Sequence, residues 1–149
     1  MSRLWLLLHF LGFIGWIGGG LALMVVSIAS KHESRAAQGA VARAQAAVQK
    51  AIIAPGAVLV VLSGLMLTIR MMNAMTTSLN SWLMLMQGAG ILGALVMLLG
   101  GLPIASRLAR LDPEGPHAAR FDDLRNRQKM VSSVAGVLAL VALVSGMMM

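Results

Sequence analysis

Of the three histidines in this chain, one stands in purely apolar surroundings: His9, within Leu4-Trp5-Leu6-Leu7-Leu8-His9-Phe10-Leu11. A neutral imidazole is a common ligand for haem iron, and an ionisable side chain inside an apolar run is a functional candidate by default. On an ideal helix, at ~100° per residue, His9 shares a stripe with Gly12, Phe13, Trp16, Gly20, Leu23 and Ser27. Glycines beside a histidine leave room for a flat ligand, and Phe13 and Trp16 offer aromatic walls. The competing reading is a histidine bonded to a backbone carbonyl or facing an interface. His32 and His117 stand in charged sequence, in loops on the far side of the membrane from His9. A haem held by two histidines of one chain at the outer level is therefore excluded; both read most simply as solvated loop residues, with a cytoplasmic metal site between them left open.

The methionines are the second source of ligands. Of thirteen, Met1, Met66, Met71, Met72, Met75, Met84, Met86, Met147, Met148 and Met149 are expected in the outer half of the membrane or outside it. Thioethers ligate copper(I), and methionine also serves as an axial haem ligand. Met66, Met86 and Gln87 are expected at a depth similar to His9. Against this, methionine is a common apolar filler, and no Met-x-Met-x-x-Met repeat is present. Gln87 and Ser63 read as interhelical hydrogen-bonding residues. There is no cysteine, which excludes disulfides and thiolate sites. The five acids (Glu33, Asp112, Glu114, Asp122, Asp123) all fall outside the apolar runs, so a carboxylate proton relay across a membrane has no support. Phosphate loops, zinc motifs and Ser/His/Asp sets are absent.

The elements that position these residues follow from hydropathy. The chain is 58% hydrophobic and 11% charged, against about 25% charged for a soluble domain. Four apolar runs, about residues 4–29, 51–70, 82–102 and 130–149, each exceed the roughly 18 residues that read as a membrane helix. Backbone groups in lipid must bond internally, so these runs are helices. Ser27-Ile28-Ala29-Ser30 resembles a signal-cleavage site, but the run before it is too long and carries only Arg3 ahead of it; it reads as a retained first helix.

Lys31, Arg35, Arg43 and Lys50 fall between runs one and two, and Arg107, Arg110, Arg120, Arg125, Arg127 and Lys129 between three and four. Only Arg3 and Arg70 fall on the other side. The positive-inside rule then puts the first and third loops in the cytoplasm and both termini outside. The formal charge of +7 serves this topology and contact with anionic lipid rather than nucleic acid. The first loop is expected to extend the helices into the cytoplasm, Pro55 to kink the second span, and residues 117–129 to form a short surface helix before span four. The fold expected is all-α: one domain over residues 1–149, an up-down-up-down bundle of four transmembrane helices.

His9 followed by Trp16 and Gly18-Gly19-Gly20, then Ile52-Ile53-Ala54-Pro55-Gly56, Gly64 and Ser81-Trp82-Leu83, resembles a superfamily of four-helix bacterial membrane proteins. It includes HemJ-type protoporphyrinogen oxidases, the membrane domain of CopD-type copper proteins, and a related family of unknown function. The resemblance implies a bacterial inner-membrane protein with haem b or a porphyrin near His9. The chain departs from the HemJ pattern in three places. Met86 stands where that family has a lysine, Val25 where it has an arginine, and Arg125-Asn126-Arg127 where it has Asn-Glu-x-Pro. It is more similar to the uncharacterised branch.

The function expected from the sequence is a haem-b-binding membrane protein of redox or haem-handling type. His9 is the axial ligand, Gly12, Phe13 and Trp16 shape the pocket, and Met66 or Met86 stands as a second ligand. Two other readings remain open: a cofactor-free subunit of a homo-oligomer or larger membrane complex, and copper handling through methionines at the outer face.

Overall fold

The structure, a computed structural model, describes residues 2–74 and 81–148; residues 75–80, with Met75, and both terminal methionines, Met1 and Met149, lie outside the described residues. Four helices are long and apolar enough to cross a membrane: α1 (Arg3–His32), α2 (Arg35–Met72), α3 (Ser81–Leu108) and α4 (Ala118–Met147). No strand occurs among the described residues. At ~1.5 Å per residue, even the shortest exceeds the roughly 30 Å of hydrocarbon in a bilayer.

α2 and α4 begin well before their apolar parts. Ser34 starts α2, its Oγ accepting from the Ala37 amide at 3.3 Å, and the Ala- and Gln-rich segment then runs on into the expected second span. Residues 117–129 do not form a separate surface helix. α4 passes through Lys129 without a break, because no glycine or proline interrupts Ala118 to Val131. Two widened π-turns, Gln49–Ile53 in α2 and Val96–Gly101 in α3, end just before the Ala54-Pro55 and Leu102-Pro103 pairs. Proline has no N–H for the carbonyl four residues back, and its ring crowds that carbonyl. A wider turn relieves both conflicts, and at Pro55 it occupies the place where the sequence leads one to expect a kink. A third π-turn spans Ile14–Gly18 in α1.

Opposed residues show that the helices alternate in direction. Gly12 lies against Gly56 and Gly19 against Ile53; Gly90 lies against Ala142 and Gly100 against Val131. Gln87 reaches Gly64, and Gln49 reaches Met97. In each pair of helices, moving forward along one means moving backward along its neighbour, so the chain is an up-down-up-down bundle. Both termini lie at one end, here the terminal end. The α1–α2 and α3–α4 connections lie at the other, here the basic end. α1 is packed along α2 and α3 along α4, and α2 joins the two hairpins through α3.

The approach of α1 to α2 needs glycine. A Cβ on Gly12 would lie 2.8 Å from the Gly56 carbonyl oxygen, and one on Gly56 would lie 2.9 Å from the Trp16 nitrogen. Below this contact, Trp16, Ile53, Ala57, Val60, Ala94, Met97, Ala135 and Ala139 make the bundle core. The exterior is apolar as well, with Ile14, Leu99 and Met130 exposed by 68%, 74% and 70%. An oily surface of this extent suits lipid and not water.

A second core stands at the basic end, where fully buried Phe121 packs on Ala42 and Leu108. Around it Arg35 bonds both oxygens of Asp122, at 2.6 and 3.0 Å. Arg125 reaches Gln38 Oε1 at 2.6 Å and Ser30 Oγ at 3.3 Å. These groups sit on the polar extensions, beyond the apolar stretches. The hydrogen bonds from Arg35 hold the Asp122 carboxyl below the ordinary carboxylate range.

Candidate metal centre

His9 projects from α1 onto α2, where Gly64 makes room for it: a Cβ on Gly64 would lie 3.0 Å from His9 Cε1. Nδ1 lies 3.1 Å from the Val60 carbonyl oxygen and 3.0 Å from Ser63 Oγ. The tautomer follows from counting protons. The Ser63 hydroxyl has one hydrogen, which goes to the Leu59 carbonyl in a short bond one helical turn back. Its oxygen can then only accept from the ring, and the Val60 carbonyl can only accept. Nδ1 therefore carries the proton, and Nε2 keeps its lone pair. A backbone carbonyl bonded to one ring nitrogen is the arrangement that presents the other to a metal. No protein group among the described residues bonds Nε2. Phe13, one turn along, meets the ring edge-on, with centroids 5.1 Å apart and planes at 78°.

The ring borders a cavity of about 30 Å³ at the terminal end, which all four helices line: His9 and Phe13 from α1, Gly64 from α2, Met86 and Gln87 from α3, and Ala142 from α4. The Met86 thioether passes Gly146, where a Cβ would lie 3.1 Å from Sδ. Gln87 is fixed from α2. Its Nε2 donates to Thr68 Oγ1 in a short bond and to the Gly64 carbonyl at 3.4 Å, and Thr68 donates to that same carbonyl at 2.9 Å. A larger cleft of about 380 Å³ at the basic end is bordered by both signs of charge, Arg43 and Arg110 with Asp112 and Glu114.

Of the residues singled out in the sequence, His9, Phe13 and Met86 meet at the small cavity. Gly12 and Trp16 do not line it: Gly12 is pressed against Gly56, and Trp16 lies in the bundle core with its ring on Gly93. Met66 is half-buried and outside the lining. Met84, two residues before Met86 and so about 200° around the helix, is 61% exposed on the outer surface. His32 and His117 are exposed at the basic end. Sequence reasoning missed Thr68, and read Gln87 and Ser63 as interhelical hydrogen-bonding residues, which is how the structure places them. The available signal was the recurrence of polar residues at Ser63, Thr68 and Gln87 within otherwise apolar runs. No cluster of three or more His, Cys, Asp or Glu side chains occurs among the described residues.

Comparison with protein-family models, with curated proteins and with solved structures finds no match to this chain.

Proposed function

We propose that this chain is a multi-pass membrane protein of metal-handling or redox type, with one metal centre on the extracytoplasmic side that takes His9 Nε2 and the Met86 thioether. The observation that carries this reading is the fixed tautomer of His9, whose unpaired Nε2 belongs to a ring bordering the cavity that Met86 also lines. The positive-inside pattern of the two basic loops supports the orientation.

Haem iron and copper(I) both accept an imidazole nitrogen and a thioether sulfur. Size separates them. Pockets for flat organic ligands hold roughly 300–1,000 Å³, whereas this cavity holds about 30 Å³, room for one or two water-sized occupants. Haem b, the group implied by the sequence resemblance, does not fit between the helices as packed. A single soft ion does, which favours copper(I). The resemblance to the CopD-type membrane domain points the same way.

The test is purification in detergent after growth with ample haem and copper, followed by metal analysis and an absorption spectrum. Stoichiometric copper that is lost in His9→Ala is the expected result. A Soret band without copper would return the site to haem, and the absence of both would end the metal reading.

A cofactor-free subunit of a larger membrane assembly is the second reading. It is favoured by Gly18, Gly20, Gly88 and Gly136, where an added Cβ would meet nothing within 4 Å. Glycines facing outward suit close approach of a further helix. Copurification with stoichiometric partners and no metal would support it.

A further inference from the structure

We propose that Gln87 is a third ligand of the same ion, through its Oε1, and that Thr68 is the residue that positions it. This rests on the metal reading of His9 and Met86 and extends it to a mixed donor set of one imidazole nitrogen, one thioether sulfur and one amide oxygen.

The direction in which the Gln87 amide faces is set by protons. Thr68 has one hydroxyl hydrogen, and it goes to the Gly64 carbonyl at 2.9 Å. Thr68 Oγ1 can then only accept, as can the Gly64 carbonyl, and both contact the same end of the Gln87 side chain. Turning the amide over would set its oxygen against the Gly64 carbonyl oxygen and would draw the Thr68 hydroxyl hydrogen away from that carbonyl. Nε2 is therefore the group that faces α2, and Oε1 is left over. No described residue donates to it. Gln87 borders the cavity next to Met86 and across from His9.

Three residues that line one small space thus carry lone pairs with no donor among the described residues: His9 at Nε2, Met86 at Sδ and Gln87 at Oε1. The other residues lining it (Phe13, Gly64, Gly90 and Ala142 among them) have no side-chain hydrogen to donate. A single water has two hydrogens and leaves one of the three unmet; one cation meets all three, where water would need two molecules, the most the cavity holds. The set also states what kind of cation. Sulfur and imidazole suit copper(I), while an oxygen beside an imidazole nitrogen belongs to the nitrogen and oxygen donor sets that hold copper(II). Gln87 thus broadens the site from copper(I) alone to both oxidation states.

The experiment loads purified full-length protein with copper in either oxidation state and reads the first coordination shell by X-ray absorption, for wild type, Gln87→Leu, Gln87→Glu and Thr68→Val. Wild type should show one sulfur scatterer with nitrogen and oxygen scatterers. Gln87→Leu should lose one light scatterer and about tenfold or more in copper(II) affinity, with a smaller loss for copper(I). Gln87→Glu, which keeps the oxygen, should restore copper(II) binding. Thr68→Val should shift in the same direction as Gln87→Leu because it frees the amide to turn. Wild-type copper binding with an unchanged shell in Gln87→Leu would overturn the role of Gln87 and leave the His9–Met86 site standing. A wild-type protein that takes up no copper would overturn both, with water as the cavity's only occupant.

Discussion

Replacing Gly12 by alanine tests the packing that aims His9. The new Cβ would lie 2.8 Å from the Gly56 carbonyl oxygen, 2.8 Å from Val60 Cγ2 and 2.9 Å from the Val60 nitrogen. Two of these atoms are backbone and cannot swing aside, so α1 must move off α2 by about 0.6 Å to reach ordinary contact near 3.4 Å. Overpacking of this kind costs about 1–3 kcal/mol. The helix-propensity gain of alanine over glycine offsets at most about 1 kcal/mol, so the net effect is destabilising. His9 is one turn away. The same movement stretches its 3.1 Å bond to the Val60 carbonyl to about 3.7 Å, beyond hydrogen-bond range. Gly136→Ala is the control, since its Cβ meets nothing within 4 Å. Reversible unfolding in mixed micelles should show Gly12→Ala less stable than wild type and Gly136→Ala unchanged or slightly more stable. Equal stability of the two variants would refute the close-packing argument, and with it the claim that this contact sets the position of the ring.

Ser63→Ala should cost about 1 kcal/mol in the same assay by removing one acceptor from the His9 ring, and should weaken copper binding by about tenfold while leaving it detectable, because the Val60 carbonyl still holds Nδ1. Met86→Leu should lower copper content, whereas Met84→Leu should leave it unchanged. The exposure of Met84 on the far side of α3 makes that pair a direct test by metal analysis. Asp122 has a depressed folded-state pKa, so its bond to Arg35 contributes in full above the ordinary value of 3.8 and is lost as pH falls through the lower one. Protection of the amides in residues 35–48 and 118–128, corrected for the pH dependence of intrinsic exchange, should therefore fall as pH drops below the ordinary value of 3.8, and should already be low above it in Asp122→Asn.

The four helices were legible because apolar runs of membrane length have no other stable form in lipid, and His9 was legible because nothing else ionisable interrupts those runs. The stripe drawn from His9 through Trp16 was less sound. It assumes 3.6 residues per turn, and the π-turn at Ile14–Gly18 places an extra residue in one turn and rotates the remainder of α1 by roughly 100°. Trp16, inside that turn, faces the core, and Gly20, beyond it, faces open space. Gly12 was read as space for a ligand, yet the space is taken by the backbone of α2, a distinction that depends on the neighbouring helix. The proposed third ligand was hidden for a related reason. A glutamine in a span signals a hydrogen bond, and only the proton count at Thr68 reveals that half of the amide is spare.

The bonds that tie one hairpin to the other are unevenly spread along the bundle. At the basic end Arg35 to Asp122, Arg125 to Gln38 and Ser30, and Gln128 to Gln49 at 2.7 Å all bridge them. At the terminal end α2 is fastened to α3 through Gln87, and there, among the described residues, no hydrogen bond joins α1 to α4 as Arg125 and Ser30 do at the basic end. The molecule is built like a book bound along α2 and α3 and clasped at its foot, with its loose corner at the upper edges of α1 and α4. Both edges border the histidine cavity, so the walls around His9 that α1 and α4 supply are held to each other by apolar contact alone among the described residues.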